Sequence, residues 1–450
     1  MFIMQQIAAN NKMNTIIKLF PILMTVLLFS QCEKTETVIK ISSSFEEVLI
    51  LQGYDTDGDG KISRSEAEAV SSLNITYTNI SDMTGIELFI NLDTLYCAVN
   101  PISRLDVSKN LALVHLDCNE TGLTTLDVSN NTLLKYLNCS ENQLTDLDVT
   151  NNTLLKLLRC DSNQLTVLDV SNNTFLTYLT CGSNQLSALN IRNNELETLL
   201  CRSNKLSTLD ISNQPALTWF DCMWNQLTSL DIGGNTTSLG VIYARGNALS
   251  ELDVSNITSL HHLDCSRNQI SSLDVSNNKA LEGLECDENQ LSTLDVSNND
   301  SLQVLTCATN QLSNLDISNN PVLIHLECDF NQLTTIDLSS NPELYVLHCS
   351  GNELSNLDVS MKPDLIVLNC AGNKLTNLDI SMNPLVELNC RANYLDSLDI
   401  SNNTALRELN IENMPSLYKV CVWELPFPPS HLSVLTIGSP NYYYSTDCIE

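Results

Sequence analysis

Two sets of residues in this 450-residue chain recur at spacings that could do chemistry: acids crowded into one short loop, and cysteines repeated along most of the length. The loop is DTDGDGKISRSE, Asp55 to Glu66. Asp55, Asp57 and Asp59 alternate, Gly60 follows, and Ser63 and Glu66 stand at the ninth and twelfth positions. Alternate carboxylates of a tight turn converge on one point, Gly60 permits the turn, Lys61 offers its carbonyl oxygen, and Glu66 closes the shell from a following helix. Such an oxygen set suits Ca2+, with Ile62 packing inward. The sequence holds no second loop of this kind, which favours a structural clip, filled by extracellular calcium and capping the long C-terminal body of the chain, over a paired sensor.

The cysteines belong to lines such as LECDENQLSTLDVSNN, Leu284 to Asn299, in which Cys286 returns as Cys307, Cys328, Cys349 and Cys370, 21 residues apart. Strand alternation sends Leu284 and Cys286 one way and Glu285 and Asp287 the other. The leucines must be inside, so the cysteines are inside too. Fourteen of the seventeen cysteines, Cys97 to Cys390, share this slot, and Ala244 fills it once. A small apolar replacement suits packing, not a metal ligand. Zinc needs closely spaced ligands that a 21-residue period does not supply. Parallel side chains on adjacent rungs bridge poorly, so buried free thiols are expected.

A second ladder, Asp106 to Asp399, follows an inward leucine and must face outward. Charges about 5 Å apart in water repel by roughly 0.8 kcal/mol, a cost along the whole stripe unless donors or cations offset it. Asn190 keeps the oxygen and loses the charge, which favours hydrogen bonds to the adjacent turn over cation binding.

The repeat reads Leu-x-x-Leu-x-Cys-x-x-Asn-x-Leu, then x-x-Leu-Asp-Val-Ser-x-Asn-x-x, in fifteen units from Leu92 to Leu385 with a degenerate sixteenth at Leu406. It resembles the leucine-rich repeat, in the short nested form of bacterial surface proteins, and the Asp55–Glu66 loop resembles an EF-hand. The resemblance implies a β-rich solenoid: a right-handed superhelix with parallel sheets, two of them back to back, behind a small helical EF-hand cap. Fifteen rungs would span about 70 Å. It also implies that the asparagine three residues after each cysteine, Asn142 or Asn289 for example, is buried and bonds the neighbouring turn, with Thr121 the exception.

Residues 1–31 read as an export signal, with the apolar run Ile16 to Phe29 behind Lys18 and a better start at Met13. Cys32 directly after it resembles the lipidated first residue of a bacterial lipoprotein, although Phe29-Ser30-Gln31 departs from the usual small residues. Residues 32–44 form a tether, 45–91 the calcium loop and N-terminal cap, 92–411 the repeats, and 412–450 a C-terminal cap rich in Pro and aromatics, where Cys421 and Cys448 could pair. The sequence ends at Glu450 with no obvious sorting domain, which favours the lipid anchor for attachment at the cell surface or outer membrane.

With 22 basic against 53 acidic residues and a charge of −31, nucleic acid is excluded as a partner. The Asp-Val-Ser face barely changes between units, whereas the outward positions around the cysteine strand vary widely, as a binding surface would. The richest patch is Tyr178, Leu200, Arg202, Trp219, Met223, Trp224, Tyr243 and Arg245. His115, His262, His325 and His348 share that face but fall several rungs apart, which argues against a metal or catalytic cluster. No nucleophile, base and acid converge. The expectation is a monomeric, non-enzymatic adhesion protein that takes a protein partner, from a host or a neighbouring cell, on its variable face. The alternatives are a carbohydrate-binding lipoprotein and a passive spacer.

Overall fold

The structure is a computed structural model describing residues 40–448 except 193, 194, 213 and 234–237. The export signal and Cys32 lie outside the described residues.

Each repeat contributes a three-residue strand to one long sheet, with a buried middle residue that is leucine except at Phe220 and Ile242, as in His325–Glu327 around Leu326. Every rung pairs in parallel with the next, Leu284 opposite Leu305 and Leu263, so the 21-residue period sets the register. The result is a continuous sheet of eighteen strands. It starts one rung before the repeats, where Ser72–Asn74 pairs with Thr94–Tyr96, and ends one rung after them, where Glu408–Asn410 pairs with Ser433–Leu435. The caps thus each supply a strand. Leu73 and Val434 fill the inward slot there; beside Leu73 the buried Ile75 and Ile80 and the Thr78 turn stand in the cysteine, leucine and asparagine slots with other letters, which is why pattern reading passes over this rung.

The expected second sheet is fragmentary. On the Asp-Val flank, strands form among the described residues only at Val167–Asp169 with Ala188–Asn190, and at Ser397–Asp399 with Lys419–Cys421 and Tyr443–Ser445, beside a bridge between Asp210 and Asp231. The turn bond of the aspartates does not set where these strands form. Asp274, Asp295 and Asp316 accept the backbone N–H groups of Ser276, Ser297 and Ser318 at 2.9–3.0 Å, and Asp169 and Asp399, inside the strands, accept those of Ser171 and Ser401 at 2.9 Å. Asn190 accepts from Arg192 in the same way, so hydrogen bonding is the slot's role.

Between the two flanks runs a core of leucine, cysteine and valine. All fourteen ladder cysteines are fully buried free thiols, and Ala244 is equally buried in its slot. Some thiols point at the next rung's carbonyl, as Cys97 does toward Asp117 at 3.4 Å. Asparagine stitches the rungs together. Asn310 donates to Cys286 O at 3.0 Å and Cys307 O at 3.1 Å and accepts from the Leu291 N–H at 2.9 Å. A second buried asparagine, Asn299, donates to Val275 O and Asn278 O at 3.0 and 2.9 Å, and its counterparts continue the row from Asn278 to Asn341. Sequence reading gave this residue no ladder of its own.

At the N-terminal end α1 (Ser43–Leu51) and α2 (Arg64–Ala69) flank the acidic loop. Phe45 and Leu49 of α1 are buried, Phe45 lies 5.8 Å from Phe89, and Ile62 packs inward. At the other end Trp423, Phe427, Tyr442 and Tyr444 cluster with ring centroids 4.7–5.3 Å apart. Cys421 and Cys448 are both free, and their sulfurs lie with an Asp399 oxygen inside one 4.8 Å cluster. Among the described residues no helix is long and apolar enough to cross a membrane.

Candidate partner-binding face

The outward positions of the long sheet form columns of side chains, because each pairs in register with its counterpart one repeat on. One column reads Asn138, Arg159, Thr180, Leu200, Asp221, Tyr243 and Asp264. Beside it runs Tyr178, Thr198, Trp219, Val241 and His262. Between Asn119 and Tyr243 the columns open into a groove of about 640 Å³. Six of the eight residues singled out from sequence line it: Tyr178, Leu200, Arg202, Trp219, Met223 and Tyr243. Trp224 and Arg245 do not. The groove adds residues the patch omitted, above all Arg159, Asp161 and Asp221.

Inside it Arg159 lies over the Tyr178 ring at 5.4 Å, a cation–π contact. Trp219 tilts against Tyr243 at 6.1 Å, and Tyr243 meets His262 edge-on at 5.2 Å. Asp161 accepts from the Gly182 N–H at 2.8 Å and from the Thr180 hydroxyl, which fixes it across two rungs. Asp221 is held by the Met223 N–H at 3.0 Å, yet burial pushes its carboxyl above the usual range.

The acidic loop is arranged around its first three aspartates. Asp55, Asp57 and Asp59 bring carboxylate oxygens within 4.8 Å of one another. Asp55 accepts from the Gly58 and Gly60 N–H groups at 2.7 and 3.0 Å, and Gly60 has a positive φ of 82°. Glu66 turns to the loop backbone instead, accepting from Ser63 N at 2.9 Å and from Thr56, while Ser63 caps α2 by accepting from Glu66 N at 3.3 Å. Burial raises the Glu66 pKa, but the Ser63 and Thr56 hydrogen bonds outweigh it and bring the group down to about 2. An ionised, all-oxygen set is what a calcium ion takes, so the residues fit it, with Asp55, Asp57 and Asp59 as the donors already gathered.

No family model matches the chain, and no curated protein does. Among solved structures it is similar to the functional domain of InlJ from Listeria monocytogenes, which includes a cysteine ladder: 34% identity over 80% of this chain and 70% of that one, TM-score 0.54. The chain belongs to the leucine-rich-repeat proteins. The fold is also shared with a leucine-rich-repeat protein of Leptospira interrogans (23% identity, 82% and 97% of the two chains, TM-score 0.63). An inlF internalin of Listeria monocytogenes shares it too (24%, 70% and 95%, TM-score 0.60).

Within the leucine-rich repeats, glycine sets how the large face residues lie. Trp224 occupies the turn after its strand at φ 53°, and its ring crosses Gly246 on the next rung, where a Cβ would come within 2.5 Å of the indole. Arg267, one rung further, stacks 5.6 Å from that ring. His262 crosses Gly283 in the same way, to reach Glu285 at 3.5 Å. An aromatic followed one repeat later by glycine is the sequence signal for these platforms.

One expectation about this face is corrected. His325 and His348 are not several rungs apart, because Glu327 pairs directly with His348 and the two histidines occupy different outward positions of neighbouring strands. Counting in steps of 21 hides a neighbour displaced by two residues.

Proposed function

We propose that this chain is a non-enzymatic binding protein that holds a protein partner in the groove between Asn119 and Tyr243. The observation that carries the reading is the groove itself: on an otherwise regular sheet, the rings of Tyr178, Trp219 and Tyr243 meet the guanidinium groups of Arg159 and Arg202 around about 640 Å³. Trp, Tyr and Arg supply most of the energy of protein interfaces. The polar complement, Asp161 and Asp221 beside stacked rings, also suits a glycan, which is the second reading. Trp219→Ala with Tyr243→Ala tests both. Protein capture that drops at least tenfold with unchanged melting supports the first reading, loss of glycan-array binding instead supports the second, and no change in either sinks both.

The reading places the chain outside the cytosol, held by a lipid on Cys32; the signal-like residues 1–31 support this. Mass measurement of the mature N-terminus decides it. Calcium at Asp55, Asp57 and Asp59 completes the reading as a clip for the N-terminal cap. Millimolar Ca2+ is expected to raise the melting temperature of wild type and not of Asp55→Ala/Glu66→Ala. A wild type indifferent to calcium removes the clip.

A further inference from the structure

The sheet face changes character beyond the groove. Its outward positions there mix Asp264, Glu285, His325, Glu327 and His348 with Val304, Thr306 and Val346, and at one place four carboxylate and imidazole groups meet. His325 and Glu327 flank Leu326 on one strand and share its outward side, and Asp329 follows two residues beyond the strand's end. His348 stands beside Glu327 on the next rung. His325 Nε2 is 2.8 Å and His348 Nδ1 3.7 Å from the same Glu327 oxygen. Glu327, Asp329 and His348 present ligand atoms that all lie within 4.8 Å of one another.

We propose that His325, Glu327, Asp329 and His348 form a binding site for a divalent transition metal of the zinc class. Two imidazoles and two carboxylates are a donor set such ions accept, and one that calcium and magnesium disfavour. Tetrahedral zinc with bonds of about 2.0–2.1 Å needs donors about 3.3 Å apart. Glu327, Asp329 and His348 are gathered within 4.8 Å, and His325, whose ring centroid is 6.2 Å from that of His348, joins them through Glu327, so filling the site asks for rotation of the side chains. Asp329 is already positioned: it is buried, and one of its oxygens takes the Ser350 N–H at 2.6 Å and the Ser350 hydroxyl, an outer contact of the kind that orients metal ligands. Among the described residues no Lys or Arg pairs with Glu327 or Asp329, so their adjacent charges meet only imidazole. The imidazoles and Glu327 are about a third exposed, which gives the ion an entry path and leaves its outer side open to solvent.

The site lies outside the groove and does not depend on the partner-binding reading. The test uses the full chain in mild detergent with Cys421→Ser/Cys448→Ser, to remove the other cluster able to take zinc, and excess Ca2+ to fill the acidic loop. Zn2+ is titrated by calorimetry, and Co2+ is followed by its visible spectrum. One ion per chain is expected, with d–d bands and no thiolate charge-transfer band. His325→Ala/His348→Ala should weaken binding at least tenfold, and His115→Ala should leave it unchanged. Both histidine side chains are about a third exposed, so melting without metal should match wild type. Absence of zinc binding, equal affinity in the double histidine variant, or a cobalt–thiolate band each overturns the proposal.

Discussion

The two flanks of each rung are built from similar residues and behave differently. On the cysteine flank the backbone pairs rung to rung through eighteen strands, and the outward side chains change freely. On the aspartate flank the pairing is broken, and the side chain hardly changes. A side chain's bond to the backbone N–H two residues on occurs on both flanks, as Asp264 takes Ser266 N and Asp274 takes Ser276 N, so it does not by itself separate them. Variability on this molecule follows the flank whose strands pair without a break.

The largest test strikes what both flanks share. Leu305→Ala should cost about 3 kcal/mol by chemical denaturation, through the cavity it leaves in the core. Asn310→Ala should cost about 2 kcal/mol, since it strands the buried Leu291 N–H, while Cys286 O and Cys307 O keep their bonds from Asn289 and Asn331. Asn299→Ala should cost less, because it removes donors only.

Acid should separate the flanks next. Serine hydroxyl and backbone donors hold Asp253 and Asp316 below the usual carboxylate range. A depressed carboxyl stabilises the folded chain above its unfolded pKa near 3.9, and that stability is lost as pH falls through the folded value. Asp221 and Asp264 on the sheet are shifted the other way, by burial. They weigh against folding once pH exceeds their raised pKa and cease to do so on acidification. Asp264→Asn should therefore raise the melting temperature at pH 7. Asp253→Asn should lower it slightly there and reduce the further loss below about pH 4. Parallel pH titrations of both variants check this.

The smallest effects contrast single side chains. Asp379→Ala should cost about 0.5 kcal/mol, by losing the bond from Ser381 N, and Asp379→Asn close to nothing, as Asn190 shows. Val304→Thr on the variable column should stay within about 0.5 kcal/mol. A large loss there would break the argument that this flank is free.

Much of this was legible in the sequence because period and alternation are local rules. Leu284, Cys286 and Ala244 were placed inside and Asp295 outside by counting alone, and Asn289 under the turn by the resemblance to leucine-rich repeats. What escaped depended on neighbours across rungs. The second sheet is fragmentary although Asp169 and Asp399 in its strands make the same turn bond as Asp295, so no single letter of the repeat records the break. Trp224 left the groove because Gly246 gives its ring somewhere to lie. His325 and His348 met because one repeat offers two outward positions. Leu73 was missed because Ile75 and Thr78 hold the cysteine and asparagine slots with other letters.

The buried thiols have a consequence beyond packing. Burial pushes Cys286, Cys307 and their neighbours far above the ordinary thiol pKa, so no reactive thiolate exists while the rungs are closed. An alkylating reagent can then mark a ladder cysteine only when its rung has come open. Labelling rates read residue by residue along the chain would time the breathing of each rung, a set of stopwatches distributed through the core.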